Sequence, residues 1–409
     1  MRQRAAADAH SAARRRREAS TLVALSLPRL ALLWLIGADL RIAVLALPPV
    51  LPDIQRQLHL SEVAVGALTS LPVLLLALGA VVGSAAVALL GPRLALAVGL
   101  VVVGAASGAR GLGGAGGLFG ASIVLGVGIA VLQPAMPSIT REWFPARVGI
   151  ATSVYGNGIV LGEAMAASLT LPLVLPLTGT WQGSLAVWGL PALVAAALLV
   201  MPFASASASR PVKSAWPRWT DAVAWRSGLL RGGGSVLYFG TNAFLPTELH
   251  AVGHAGLVAP CLAALNTSQL GASVIVALLA RSAGRPHALL AVCGGCAICG
   301  LAGIVLAPGP LAVAGSAVVG ISSAVAFVIS LALPALLAGP ADVHRLAAGM
   351  SAIGYLSAFL FPLAGGIAWD FSGKPAAAFA PAALGALVFG SVLLWPGERT
   401  RSQLAVRIH

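Results

Sequence analysis

The stretch LPRLALLWLIGADLRIAVLALPPVL, residues 27–51, carries charges only at Arg29, Asp39 and Arg41. A helix of this length is long enough to cross a hydrocarbon core of about 30 Å. The stretch is too long for the apolar region of a signal peptide, and it lacks a clear small-residue cleavage site. We therefore predict that it forms an uncleaved first membrane span.

Apolar stretches of similar length recur almost to the C-terminus. Hydrophobic residues make up 58% of the 409 residues and charged residues only 9%, whereas a soluble domain carries about 25% charged residues. Strand-like segments of about 10 alternating residues, typical of an outer-membrane barrel, are absent from the sequence. Helices are the other way to satisfy backbone hydrogen bonds in lipid, so we predict an all-α membrane protein.

Twelve spans can be placed, many of them interrupted by Pro and Gly, which membrane helices tolerate. They cover residues 28–51, 62–90, 93–111, 115–138, 148–172, 182–203, 223–247, 255–280, 287–307, 310–337, 346–368 and 376–396. Lys and Arg concentrate in every second loop, which marks those loops as cytoplasmic. We therefore predict a multi-pass protein of the bacterial cytoplasmic (inner) membrane with both termini on the cytoplasmic side.

A polar linker at residues 204–222 divides the twelve spans into six plus six. The stretches RVGIATSVYG (147–156) and RLAAGMSAIG (345–354) open spans 5 and 11 and share Arg, Ser and Gly at the same offsets. Such echoes are expected of a parallel repeat. The predicted parts are a basic N-terminal tail (1–27), two six-helix bundles (28–203 and 223–396) joined by the linker, and a C-terminal tail (397–409).

Several function classes find no support in the sequence. The net charge of +13 follows the loop pattern and forms no basic face, so we expect no nucleic-acid partner. Cys293, Cys296 and Cys299 share a helical face but have no His or acidic residue nearby, which favours packing over a metal site. No Ser-His-Asp or paired-carboxylate spacing is present. We expect no enzyme activity, no cofactor and no metal.

Arg41 is the first candidate for a functional charge. A charge inside a span costs about 2.5–3.5 kcal/mol on insertion scales and is usually functional and partnered. Arg41 lies near the centre of span 1, too deep to snorkel easily, and its planar guanidinium suits a carboxylate or similar anion. The alternative is an ion pair with Asp39 or Glu163. Because Asp39 at i−2 points to another side of the helix, we expect it to pair with another helix or to cap a cytoplasmic-side network.

Two other charges lie inside predicted spans. Glu163, well inside span 5, would be able to carry a proton at neutral pH in a low-dielectric site, and the alternative is a packing role. Arg231, nearer the predicted cytoplasmic end of span 7, is either another functional charge or a snorkelling residue, and we favour the snorkelling interpretation.

Polar uncharged residues complete the candidate set for a central cavity. Gln133 in span 4 and Gln269 in span 8 are buried amides that can bind a small polar solute or tie helices together. Asn157, Ser235 and Tyr355 are further candidates for its lining.

Three sequence stretches point to a known family. Span 1 with its exit reads ADLRIAVLALPPVLPDIQRQL, span 3 ends GAASGAR, and span 4 reads GVGIAVLQPAMPSITREWFP. Arg41, Arg110, Gln133 and Pro137 stand in these stretches where the cyanate permease and nitroimidazole transporter family of the major facilitator superfamily carries the same residues. The chain resembles that family over nearly its whole length, although Asp39 replaces a usual Asn.

The resemblance is weaker at two other places. Span 7 keeps Ser235, but Gly234 stands where the family often has Gln, and Ser351 in span 11 replaces another frequent Gln. The resemblance implies two six-helix bundles around a central cavity that opens alternately to each side. Family substrates include small anions and small heteroaromatic compounds, and the loss of both Gln positions with Arg41 kept favours an anion.

The loop between spans 2 and 3 helps to gate alternating access in the superfamily. In this sequence Gly83 and Arg93 remain, but the usual Asp is absent. We assign gating to Gly83, Arg93, Arg147 and Arg345, the last two being the paired arginines that open spans 5 and 11.

The predicted function is proton-coupled transport of a small anion, such as cyanate or a small carboxylate, by a monomer in the lipid bilayer. In this hypothesis Arg41 binds the anion, Gln133 and Gln269 orient it, and Glu163 carries the proton, with Asp39 as a second proton or ion-pair residue. One alternative is efflux of a toxic nitroimidazole-like compound. Another is a non-transporting membrane sensor, for which the expected soluble signalling domain is missing from the sequence.

Overall fold

A computed structural model describes residues 27–60, 62–204, 216–217, 219–281, 286–306 and 309–391. Every regular element within those ranges is a helix, and nine of their helical stretches are long and apolar enough to cross a membrane. The prediction of an all-α membrane protein is confirmed. The predicted C-terminal tail, most of the N-terminal tail and most of the linker lie outside the described residues.

The helices of the first half carry spans 1 to 6. They cover 27–45, Leu47–Leu58, Glu62–Leu78, Ala80–Ala109, Gly114–Trp143, Val148–Leu169 with the π-helical turn Thr170–Val174, Leu175–Thr178, Trp181–Val187, Leu190–Val200 and the 3-10 turn Pro202–Ala204.

The helices of the second half carry spans 7 to 12. They cover Ala222–Ala251, the 3-10 turn Ala255–Leu257, Val258–Thr267, Leu270–Arg281, Pro286–Leu306, Pro310–Leu337, Val343–Ser372, the 3-10 turn Pro375–Phe379 and Ala380–Gly390.

Spans 2 and 3 meet at Gly91, whose φ of 77° and ψ of 161° are not helical. A positive φ of this size favours glycine, which has no β-carbon to clash. A β-carbon on Gly83 would lie 2.2 Å from the Ala130 carbonyl oxygen, and one on Gly99 would lie 3.2 Å from the Gly128 carbonyl oxygen. Because residues on both sides of Gly91 pack against the same part of span 4, the chain reverses at Gly91, between the two predicted spans.

Spans 1 and 5 approach each other through glycines. A β-carbon on Gly158 would lie 2.2 Å from the Trp34 carbonyl oxygen, and one on Gly162 would lie 2.6 Å from the Ala38 carbonyl oxygen. The Trp34 indole donates a hydrogen bond of 3.0 Å to Asn157 Oδ1 beside this contact. Small residues allow such close approach between membrane helices. The contact therefore fixes the charged residues of span 1 against those of span 5.

The buried apolar residues divide into separate cores for the two halves. Residues such as Leu33, Leu100 and Leu132 belong to a core almost entirely within the first half, while Leu237 and Phe389 belong to a core almost entirely within the second half. This division is that of two helical bundles. We call the membrane side on which span 1 begins, and on which spans 6 and 7 meet at the linker, the linker face, and the other side the opposite face.

We expect Gly158→Ala to destabilise the protein, because the added methyl group must push span 1 away from span 5. Overpacking of a close contact typically costs about 1–3 kcal/mol. The matched control is Gly295→Ala in span 9, where a β-carbon would meet no atom within 4 Å. Thermal unfolding in detergent should show a lower midpoint for Gly158→Ala and an unchanged midpoint for the control. Equal midpoints for the two variants would contradict the close contact.

Candidate functional site

A cavity of ≈ 40 Å³ lies between the two halves, near the centres of spans 1, 5, 7, 8 and 10. A single water molecule needs roughly 10–15 Å³ by the same measure, so this mid-depth cavity has room for a few waters or one small solute. Its lining includes the side chains of Arg41, Glu163, Ser235, Tyr238, Gln269 and Phe327. The structure thus brings together four residues that the sequence identified: Arg41, Glu163, Ser235 and Gln269.

Arg41 lines this mid-depth cavity without a protein partner for its donors. Within the described part of the chain its guanidinium forms neither a hydrogen bond nor a salt bridge. Its charge interacts at longer range with Tyr355, Glu163 and Tyr238. The ion pair with Asp39 or Glu163, which was the alternative role for Arg41, is therefore not formed in this structure. None of the five N–H donors of the guanidinium is used in a hydrogen bond among the described residues.

Glu163 contacts the other half of the protein through Tyr238. The Tyr238 hydroxyl oxygen lies 3.2 Å from Glu163 Oε1 and 2.7 Å from Asn266 Oδ1. The Asn266 amide is oriented by its nitrogen, which donates to the Leu262 carbonyl oxygen at 2.8 Å. Because a carbonyl can only accept, this bond turns Asn266 Oδ1 toward Tyr238. The sequence missed Asn266, although it precedes Gln269 by one helical turn and is a buried amide of the same kind.

A second polar cluster lies between the mid-depth cavity and the linker face. Arg231 is only 3% exposed, and its Nη2 donates to Gln133 Oε1 at 3.3 Å and to the Tyr355 hydroxyl at 3.2 Å. Gln133 Nε2 also donates to the Tyr355 hydroxyl at 2.9 Å. The interpretation of Arg231 as a snorkelling residue is wrong, because the helices packed around span 7 bury it. Gln133 and Tyr355, predicted to bind substrate, lie in this cluster and not in the mid-depth cavity.

Asp39 and Asn157 lie apart from both clusters. Asp39 is 1% exposed, and neither of its carboxylate oxygens has a hydrogen-bond partner among the described residues. The prediction that it pairs with another helix or caps a network is therefore wrong. Asn157 accepts the hydrogen bond from Trp34, so it joins spans 1 and 5 and does not line the mid-depth cavity. The position of Asn157 in the sequence predicted its depth in the membrane but not the direction in which its side chain points.

Comparison with known proteins shows which family the chain belongs to. Residues 33–362 match the family described as Major Facilitator Superfamily. The chain belongs to the major facilitator superfamily. It is 30% identical over 357 residues to the cyanate transport protein CynX of Escherichia coli (strain K12), covering 84% of this chain and 91% of CynX. It is 25% identical over 347 residues to the 2-nitroimidazole transporter of the same organism, covering 83% and 88%. The predicted family resemblance is confirmed.

Solved structures of this superfamily share the fold. The transporter FucP in its outward conformation aligns with a TM-score of 0.68 at 14% identity, covering 88% of this chain and 97% of FucP. The human organic anion transporter MFSD10 aligns with a TM-score of 0.68 at 14% identity, covering 93% and 98%. At this identity the likeness shows the fold alone. The protein is a multi-pass membrane transporter of small molecules, not an enzyme, and its predicted major facilitator fold is confirmed.

The two halves of the transporter are joined at the linker face by Arg141 of span 4. Its Nη1 donates to the carbonyl oxygen of Ala335 and, at 2.7 Å, to that of Ala338, beside the end of span 10. One step deeper, the Tyr155 hydroxyl donates to the Leu331 carbonyl oxygen at 3.2 Å. These bonds cross from the first half to the second, so the structure is a state in which the linker face is closed.

The residues assigned to gating form none of these cross-half bonds, and the bonds described for them stay within one half or reach the linker. Arg93 donates to the Leu199 and Met201 carbonyl oxygens at the end of span 6, and Arg345 donates to Asp342 and to the Trp216 carbonyl oxygen. Arg147 is exposed. Gly83 packs against span 4 of the same bundle. The sequence did not single out Arg141 beyond its contribution to the loop charges that predict topology. Its contact between the halves depends on distances that a sequence does not contain.

We expect Arg141→Gln to open the linker face more often, because it loses charged bonds worth about 1.5–3 kcal/mol each. The control is Arg93→Gln, whose lost bonds to Leu199 and Met201 lie within one half. Both changes are made with Ala347→Cys in an otherwise cysteine-free protein, since Ala347 is buried on the linker side of the cluster around Arg231. A membrane-impermeant maleimide applied from the linker face should label this cysteine at least about tenfold faster in Arg141→Gln. Equal labelling rates in the two variants would show that Arg141 does not hold the face closed.

Proposed function

We propose that this transporter moves a small anion together with protons, by alternating access, with Arg41 as the anion ligand. The observation that carries the proposal is the Arg41 guanidinium, which lines the mid-depth cavity with no hydrogen bond or salt bridge among the described residues. An uncompensated charge at this depth is costly, and a bound anion would compensate it. A guanidinium offers a carboxylate or similar anion two parallel hydrogen bonds.

The cavity and the relatives support a small substrate. The volume of ≈ 40 Å³ suits a solute of a few heavy atoms, such as cyanate or a small carboxylate, and Ser235 and Gln269 add donors beside Arg41. Cyanate is the first candidate because the relative at 30% identity is named as a cyanate transport protein. The aromatic faces of Tyr238 and Phe327 would also suit a flat heteroaromatic ring, which keeps nitroimidazole-like efflux as the second candidate.

Glu163 is the proposed proton carrier. A phenol has one hydrogen, and the Asn266 amide is turned to accept it from Tyr238. A second full hydrogen bond, between Tyr238 and Glu163, then requires that Glu163 donate it, which needs a protonated carboxyl. An anion on Arg41 would favour that form, because it neutralises the cation that otherwise stabilises the Glu163 carboxylate. Anion and proton would thus bind together, which is the requirement for symport. Asp39, a buried carboxyl without partners, is a second proposed proton site.

The proposed orientation places the linker face in the bacterial cytoplasm. It follows the excess of Lys and Arg in the loops on that face and puts both termini inside. The state described here would then be closed to the cytoplasm, which is the loading state of an importer. Everted vesicles separate import from export, since they reverse the side on which the substrate accumulates. A monomer remains our prediction for the working unit.

We expect Arg41→Ala to lower kcat/KM for cyanate by at least about tenfold, because charged hydrogen bonds contribute about 1.5–3 kcal/mol. Arg41→Lys should fall between this variant and the wild type, because it keeps the charge and loses the planar fork. The matched control is Arg56→Ala, an exposed arginine that pairs with Asp53, and it should transport normally. Uptake of radiolabelled cyanate into proteoliposomes is the measurement. Full uptake by both Arg41 variants would show that Arg41 is not the ligand.

We expect Glu163→Gln to lose accumulation driven by a proton gradient but to keep exchange of cyanate across the membrane. The amide cannot carry the proton, yet it can still donate a hydrogen bond to Tyr238. Its exchange rate should also lose its dependence on pH. Asp370→Asn is the control and should behave as the wild type, because Asp370 is an exposed carboxylate beyond span 11, in the last turn of the helix Val343–Ser372. Gradient-driven accumulation by Glu163→Gln would exclude Glu163 as the proton carrier.

A further inference from the structure

Arg231 is a second cation that lines a cavity between the two halves, and no described carboxylate lies within salt-bridge distance of it. It is nearly fully buried, and its Nε has no hydrogen-bond partner among the described residues. A buried charge without a partner of opposite sign is strongly destabilising. Such a charge inside a span usually marks the path of a substrate or ion. The function of Arg41 leaves this second arginine unexplained.

The groups around Arg231 are neutral, so they do not neutralise its charge, but they leave it able to bind an anion. The guanidinium carbon lies 5.0 Å from the centre of the Phe327 ring and 5.2 Å from that of Tyr355, contacts that stabilise a cation only partly. Gln133 and Tyr355 each bring a donor as well as an acceptor. Neither carries a negative charge, so neither would repel an anion that approached Arg231.

Arg231 lies next to the site of Arg41, on the side toward the linker face. Phe327 lines the mid-depth cavity together with Arg41 and also stacks on Arg231, so the two arginines share this aromatic neighbour. Tyr355 interacts electrostatically with both Arg41 and Arg231. Arg41 therefore faces the mid-depth cavity, and Arg231 lies one step closer to the linker face.

The cluster is divided between the two halves of the transporter. Gln133 belongs to the first half, whereas Arg231 and Tyr355 belong to the second. The cavity at this cluster is only ≈ 10 Å³, at the lower limit for one water, because the linker face is closed. Separation of the halves at that face would withdraw Gln133 from Arg231 and create room beside the guanidinium.

We propose that Arg231, with Tyr355, forms a second anion-binding station that takes the anion from Arg41 when the linker face opens. The chemistry it recognises is that of the small anion bound by Arg41, so this inference rests on the proposed function. Gln133 occupies the station while the face is closed. The station sets the affinity for an anion that enters or leaves through the linker face, whereas Arg41 sets the affinity from the opposite face.

The test compares Arg231→Gln and Arg231→Lys with the wild type in proteoliposomes of known orientation, using radiolabelled cyanate. KM is measured separately for cyanate presented at each face. Arg231→Gln should raise KM at the linker face at least tenfold and leave KM at the opposite face within about twofold, and Arg231→Lys should show a smaller rise. Arg226→Gln removes another arginine of span 7 as a control and should change neither KM.

A purely structural role for Arg231 would change transport from both faces alike, and that result, or no change at either face, would overturn the proposal. Should the Arg231 variants fail to fold, Tyr355→Phe decides the matter, because it keeps the ring and removes one hydrogen-bonding group of the station. It should raise only the linker-face KM, by about threefold or more. Full cyanate transport by Arg41→Ala, or none by the wild type, would overturn the proposed function itself and the second station with it.

Discussion

The arrangement of this transporter depends on two guanidinium charges, those of Arg41 and Arg231, which line cavities between the two halves without carboxylate ion pairs among the described residues. A charge in that environment is costly, and a carboxylate beside each arginine would be the simple structural remedy. The structure instead supplies hydroxyls, amides and aromatic rings around Arg231 and an open cavity around Arg41. Each cation is stabilised enough to fold and remains able to gain from a bound anion, which is the condition for binding it reversibly.

The sequence predicted the fold well because the membrane imposes strong one-dimensional rules. Span length, the loop charges and the six-plus-six division all follow from hydropathy and charge, and Gly91 lies where the reversal between spans 2 and 3 was predicted. The site was predicted in part. Arg41 and Gln269 line the mid-depth cavity, whereas Gln133 belongs to the second cluster and Arg231 is buried instead of snorkelling. Depth can be read from residue number, but the neighbour that a side chain faces depends on how the helices rotate and pack.

Both polar clusters contain residues from each half of the protein. In the mid-depth cavity Glu163 comes from the first half and Tyr238 from the second. In the cluster nearer the linker face Gln133 comes from the first half and Tyr355 from the second. A relative motion of the two bundles therefore breaks or remakes polar contacts at both places at once. Opening of the linker face, which Arg141 opposes, would change the contacts of the proposed proton site and of the proposed anion path together.

This geometry gives a physical reason why proton and anion would travel as a pair. The Leu262 carbonyl fixes Asn266 as an acceptor, so the Tyr238 hydrogen is already committed and only a protonated Glu163 completes the contact between the halves. In that proposal an unprotonated Glu163 would be attracted to the charge of Arg41 and would compete with the anion for it. In the proposed cycle, with both ligands bound, Arg41 would be neutralised by the anion and Glu163 by the proton. The doubly loaded cavity would then carry no net charge from these groups, unlike a cavity that holds only the anion or only the proton, and would meet a lower electrostatic barrier than either when the bundles move.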